Sequence, residues 1–298
     1  MVIEPAKTEA VPGPEAAVWL TSLIQDFIRS GENDLRHATK EPAFDEPLVG
    51  FSSGADKLYL DYKEHVGPFH YTPQEIFGLT FPADQAAPEE LTVITWILPW
   101  TKAVKEDNRR ENFYPAERWA RGRIFGEEVN VKLRQRVVAA LTDAGYRAVA
   151  PLLTSHFSVQ KSDRFTLAST WSERHAAYAA GLGTFGLCDG LITPRGKAMR
   201  TGSVVTRLTV PATPRPYQGH REYCLFFTQG ACKKCIARCP VGALSEAGHD
   251  KVKCHAHIRT AVTEHVKAAY KFDGYGCGLC QTGVPCESKI PTRRDVED

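Results

Sequence analysis

Eight of the nine cysteines in this chain fall between Cys224 and Cys286, and Cys188 alone lies outside that window. Their spacing decides what the C-terminal third can be. The opening stretch MVIEPAKTEAVPGPEAA has no basic region followed by an apolar run, so the chain reads as cytoplasmic, where thiols stay reduced. Metal ligation is therefore favoured over disulfides.

Cys232, Cys235 and Cys239-Pro240 spell C-x2-C-x3-C-P. In the bacterial iron–sulfur run of this type, the cysteine before proline ligates the other cluster. A second set follows: Cys254, then Cys277 and Cys280 as C-x2-C, then Cys286. Crossing the sets gives one [4Fe–4S] cluster on Cys232, Cys235 and Cys286 and another on Cys239, Cys254, Cys277 and Cys280. The first lacks a ligand, because Gln229 stands where the run would carry its first cysteine. Cys224 is the spare thiol nearby, and a loop through LFFTQGA with Gly230 can return it to the cluster. The alternative is an iron left open at Gln229, giving a labile cluster or a substrate site.

Structural zinc also uses paired C-x2-C knuckles, which would make the region an interaction module. The Cys-Pro step and the two interleaved sets favour iron–sulfur. His255 and His257 in KCHAH read as surface residues or neighbours of the ligands. Lys233, Lys234 and Arg238 interleave with the first ligand loop, either to solvate it or to dock an acidic electron donor.

The rest of the chain is more ordinary. With 37 Lys+Arg against 35 Asp+Glu, no broad basic face for a nucleic-acid backbone is advertised. At 298 residues and 43% hydrophobic content, two domains are expected. The helical spacing of PEAAVWLTSLIQDFIRSGE predicts an N-terminal helix, and LTVITWILPW, too short for a membrane span, predicts a buried strand. EEVNVKLRQRVVAALTDAG reads as a helix closed by Gly145, with YRAVAPLL as the strand after it. STWSERHAAYAAG reads as a helix capped by Ser169 or Thr170 and stopped by Gly181. LGTFGLCDGLIT and TGSVVTRLTV are strand-like. Pro211, Pro214 and Pro216 mark a linker, which puts a boundary near residues 211–220.

ERWARGRIF (Glu117 to Phe125), ERHAAYAAGLGTFGLCDGLIT (Glu173 to Thr193) and YGCGLCQTGVPCE together resemble the epoxyqueuosine reductase family and its relatives the reductive dehalogenases, over roughly Val49 to Pro291. The resemblance implies an α+β chain. A nitroreductase-like cobalamin-type α/β domain over 1–215 would be followed by a ferredoxin-like domain with two [4Fe–4S] clusters over 216–298. Electrons would pass from a donor such as ferredoxin or flavodoxin, through the clusters, to corrinoid cobalt.

The family's corrinoid segment corresponds to Gly181, Leu182, Gly183, Thr184, Phe185 and Gly186, where glycines would let backbone amides approach a flat ligand. The string also satisfies G-x-G-x-x-G, but it follows a helix and leads into a strand, the reverse of the dinucleotide context. A glycine-rich helix stop without ligand is the plain alternative. Arg121 and Arg123 bracket Gly122 and could grip phosphate or amide oxygens, or simply be solvated.

Two departures count against queuosine chemistry. Leu167 occupies the position of the family's proton-donating aspartate, and Arg123 is followed by Ile124, Phe125 and Gly126 where the family has Asp, Tyr and His. The remaining acid–base candidates are Glu173, His175, Tyr178 and Asp189, with His156 further off; Glu173 also reads as a helix-start surface carboxylate, and His175 and Tyr178 as a packed pair. Cys188 reads as a small buried thiol or a lower cobalt ligand. With a net charge of +2 and an end at Asp298, shortly past the clusters, tRNA is not expected as substrate.

Two functions follow. One is an oxidoreductase whose cobalamin, fed by two clusters, reduces an unassigned small molecule. The other is an electron-transfer or reactivating protein without corrinoid chemistry of its own, acting on a partner's corrinoid.

Overall fold

The computed structural model describes residues 13–297; most of the Pro/Ala-rich start that was read for export signals lies outside them. Its centre is a four-stranded sheet in the order Leu48–Ser53, Thr92–Pro99, Met199–Thr206, Ala148–Val149, with every neighbouring pair antiparallel. All eight residues of Thr92–Pro99 are buried. The alternation of side chains explains why: Ile94, Trp96 and Leu98 point into one core, Val93 and Ile97 into another.

The first core is closed by the helices Pro14–Arg29 and Glu127–Asp143, whose Leu20, Ile24, Leu133 and Val137 have no exposure. Each such side chain stabilises the fold by about 1.5–3 kcal/mol through removal from water. The second core is closed by the helix Glu173–Ala179 with Tyr59, Phe77 and Trp171. A layer of helix on each face of an antiparallel sheet is the outcome, the layered α+β arrangement expected.

Local departures have local causes. YRAVAPLL supplies only Ala148–Val149 before a 3-10 turn at Pro151–Leu153, because Pro151 lacks the N–H a longer strand would need. The helix expected to start at Ser169 or Thr170 is capped by Ser172, whose side chain accepts from the His175 amide. Ser169 and Thr170 instead donate their hydroxyls to the carbonyls of Trp171 and His156. LGTFGLCDGLIT forms two short paired strands, Thr184–Phe185 and Leu191–Ile192.

The proline-rich segment is held down: the Thr213 amide donates to the Phe51 carbonyl at 2.9 Å, and the Tyr217 hydroxyl to the Tyr178 carbonyl at 2.6 Å. After it the chain is poor in regular structure. Its helices Leu225–Gln229, Lys234–Ala237 and Lys251–His257 are one or two turns long, the last running on through a wide turn into Thr263–Tyr270. No described helix is long and apolar enough to cross a membrane.

Candidate metal centre and the glycine segment

The short helix after Cys224 ends at Gly230, whose φ of 63° reverses the chain and brings it back toward Cys232. Cys224, Cys232, Cys235 and Cys286 then line one cavity, together with Ile192 and Lys197. The cavity wall is mostly apolar, and burial pushes the Cys286 thiol up to about 11. Gln229, the residue in the missing ligand's place, is exposed.

The other four cysteines are brought together by different contacts. Cys277 lies within electrostatic reach of Cys239 and Cys254, and Cys280 of Cys277. The Ala243 amide donates to the Cys239 sulfur at 3.1 Å. Burial pushes Cys277 to about 11 as well. Among the described residues no three His, Cys, Asp or Glu side chains close on a single ion-sized point. The side chains that meet in the first cavity include four sulfurs and no carboxylate, and sulfur is the donor that soft iron–sulfur ligation requires.

Several contacts hold this segment against the sheet domain. Arg238, read as a possible docking cation, turns inward and donates to the carbonyls of Asn108, Glu111, Leu279 and Thr282. The buried Asn108 side chain donates to the Thr282 hydroxyl at 3.1 Å. Lys233 pairs with Glu246. Both lysine-rich-loop cations are thus engaged by the protein itself, and Lys234 remains exposed.

The two histidines of KCHAH have other partners: His255 meets Arg259, and the buried His257 packs on Phe113. The histidine beside the cysteines is His249. Hydrogen bonds to Asp189, at 3.1 Å, and to Cys254 raise its pKa to about 9. Its sequence neighbours Gly248 and Asp250 gave no ligand-like spacing, and only the Gly248–His249 hairpin strand aims it inward.

Cys188 is the other residue that spacing did not place. It is buried, with Cys235 of one group and Cys280 of the other as its thiol neighbours. Those contacts, with Lys197 beside it, hold its pKa well below the usual thiol range.

The glycine segment is packed by its own chain. Gly181 has φ 77°, and a β-carbon there would come within 2.7 Å of the Pro214 carbonyl oxygen. At Gly183 the obstacle is the Ile192 carbonyl oxygen at 2.3 Å. Both glycines are therefore required without any ligand, and they leave no cradle that only a flat cofactor would explain. Leu182 and Thr184 are buried, Thr184 accepting from the Tyr223 amide at 2.9 Å. Phe185 is half-buried and gathers His175 and Tyr178, with ring centroids at 4.9 and 5.9 Å.

The acid–base candidates divide. Glu173 is no surface carboxylate: it is 8% exposed, pairs with Arg134 at 3.1 Å and accepts from the Ser203 hydroxyl. Burial raises its pKa, against the pull of Arg134. His175 bonds Ser172 through Nδ1 at 2.7 Å, and burial with His70 nearby keeps it well below its usual range. Tyr178 stacks on Tyr217 at 5.1 Å. Asp189, at φ 58°, faces His249 and not the Phe185 group. His156 offers its carbonyl to Thr170.

Of the two arginines, Arg121 is tied to Glu117 at 2.7 Å and to the Arg36 carbonyl. Arg123 lies over the ring of Tyr275 at 4.7 Å, and Tyr275 is two residues before Cys277 in the sequence. Phe125 is packed against Phe272 and the guanidinium groups of Arg36 and Arg121. Leu167 is 39% exposed on a hairpin strand.

No family model matches the chain. The epoxyqueuosine reductase of Bacillus anthracis is 33% identical over 119 residues, which is 38% of this chain and 29% of that protein. The same enzyme of Bacillus cereus is 32% identical over 119 residues, with the same shares. Over that stretch the chain is similar to epoxyqueuosine reductase. The match spans less than a third of the length of these curated relatives.

Among solved structures, a selenomethionine-labelled epoxyqueuosine reductase aligns over 93% of this chain and 71% of its own, with TM-score 0.48 and 16% identity. An epoxyqueuosine reductase with a tRNA stem loop aligns over 90% and 66%, with TM-score 0.48 and 18% identity. A catabolic reductive dehalogenase aligns over 94% and 39%, with TM-score 0.47 and 16% identity. Likeness at this level establishes neither activity nor substrate.

Proposed function

We propose that this chain is an iron–sulfur oxidoreductase of the epoxyqueuosine reductase kind, relaying electrons through two [4Fe–4S] clusters. One cluster is assigned to Cys224, Cys232, Cys235 and Cys286, the other to Cys239, Cys254, Cys277 and Cys280. What supports the reading is that Cys224, Cys232, Cys235 and Cys286 line one cavity, while Cys277 lies within electrostatic reach of Cys239 and Cys254 and Cys280 of Cys277. The proposed organisation keeps a nitroreductase-like domain over 1–215 and a ferredoxin-like one over 216–298.

The resemblance supplies cobalamin as the acceptor, at Gly181 to Gly186 and Arg123; when bound, it would provide a cobalt centre for reductive chemistry. This chain's own residues would then act around it: Phe185 as an apolar wall, His175 and Tyr178 as the polar groups nearest that wall. The donor is assigned to the ferredoxin or flavodoxin class, and the substrate to small molecules or a partner's corrinoid.

A second reading, electron relay to an acceptor not held at the glycine segment, is favoured by the packing of Gly181 and Gly183 against the chain's own carbonyls. Anaerobic reconstitution with iron and sulfide decides between them. About eight irons per chain and a corrinoid spectrum that survives desalting support the first reading. Eight irons without retained corrinoid support the second, and zinc in place of iron rejects both.

A further inference from the structure

Lys197 is 3% exposed, yet it ends in an ammonium group. Such burial costs several kcal/mol unless a counter-charge faces it. No described carboxylate fills that role. Its Nζ donates to the Cys188 sulfur at 3.3 Å, and its side chain shares one cavity with Cys224, Cys232, Cys235 and Cys286.

The backbone fixes this placement. The Lys197 amide donates to the Cys286 carbonyl at 2.8 Å and the Ala198 amide to the Glu287 carbonyl at 3.2 Å. Gly196, at φ 80°, lies so close that a β-carbon would sit 2.1 Å from the Glu287 carbonyl oxygen. The Lys197 chain is thereby pressed along the Cys286 segment, and its side chain lines the cavity of the first cysteine group.

We propose that Lys197 is a fixed counter-charge for the cluster at Cys224, Cys232, Cys235 and Cys286, and that it eases that cluster's one-electron reduction. The inference rests on the cluster reading above. In the step concerned, one electron enters from an external reductant, dithionite in the assay below, and the cluster becomes one unit more negative. No bond is made or broken and no proton moves. A cation held in the cavity that the ligand sulfurs line stabilises the more negative state, since net charge near the cluster sets such potentials.

The test is an anaerobic redox titration, followed by electron paramagnetic resonance, of reconstituted wild type, Lys197→Met, Lys197→Gln and Cys188→Ala, each with its iron content measured. Both lysine variants are expected to be at least tenfold harder to reduce at one cluster, a midpoint lowered by about 59 mV for one electron. Cys188→Ala leaves the ammonium in place, so its midpoint is expected to stay or rise. Unchanged midpoints in both lysine variants at full iron content would overturn the proposal, as would a drop in Cys188→Ala. Loss of iron in both lysine variants alone would also overturn it, making Lys197 an assembly residue. Wild-type protein that takes up no iron sinks the cluster reading itself, a failure distinct from these.

Discussion

A cubane iron needs a thiolate, and serine holds it poorly because an alkoxide is a harder ligand than sulfur. If Cys224 completes the first group, Cys224→Ser lowers iron per chain or converts one cluster to a three-iron form, whereas Gln229→Ala leaves both iron content and spectra as in wild type. Equal spectra for Cys224→Ser and wild type would remove Cys224 from the ligand set. Gly230 is the residue that makes the relocation feasible, since its left-handed φ lets the Cys224 helix stop and turn within two residues of Cys232. What spacing could not reveal at this scale are residues whose partners are distant in sequence. Cys188 lies in the turn between Thr184–Phe185 and Leu191–Ile192 and neighbours Cys235 and Cys280, Lys197 lines a cavity with Cys286, and His249 meets Asp189 across the fold. At a helix start Glu173 reads equally as a surface carboxylate, and its burial is invisible in the sequence because its partner Arg134 lies on a different helix.

At the scale of elements, the glycine segment separates two explanations for the same string. If glycine is needed for backbone packing, Gly183→Ala must destabilise the protein whether or not any corrinoid is present. A β-carbon 2.3 Å from the Ile192 carbonyl forces the two short strands apart, at a cost of about 1–3 kcal/mol. Denaturant unfolding of the corrinoid-free protein measures it; a variant as stable as wild type would return the glycine to a ligand-binding role. The elements themselves were legible where periodicity is strong. Pro14–Arg29, Thr92–Pro99 and Glu127–Asp143 follow their apolar patterns because each buries a continuous face. The Ser172 cap was not legible, since Ser169 and Thr170 are equally good caps until their hydroxyls are spent on Trp171 and His156.

For the molecule as a whole, the sequence reads well in the sheet domain and poorly where it joins the cysteine-rich segment. That joint is made by single polar side chains that carry no periodic signature. Arg238 satisfies four carbonyls from two distant stretches, so Arg238→Ala leaves buried acceptors unpaired. The expected loss is about 1–3 kcal/mol, with the cysteine-rich segment becoming the first site of proteolytic cleavage. Cleavage patterns identical to wild type would argue that the segment is held by other contacts.

Acid stability offers the last test, because the second core encloses an imidazole that resists protonation. His70 is 1% exposed among Tyr62, Trp171 and His175, and neither ring nitrogen has a hydrogen-bond partner. Burial, with Lys63 nearby, lowers its pKa from 6.5 to about 4. The unfolded chain therefore binds a proton between those values that the folded chain refuses. The contribution to stability is complete above about pH 6.5 and is lost progressively as pH falls toward 4, on the order of 3 kcal/mol in all. His175, also held below its usual range, acts in the same direction. His70→Phe fills a similar space without a titrating group, so between pH 7.5 and pH 5 it should lose roughly 2 kcal/mol less than wild type. Urea unfolding at the two pH values gives the comparison. Parallel losses in both proteins would mean that His70 accepts its proton in the folded state, and that this core admits water.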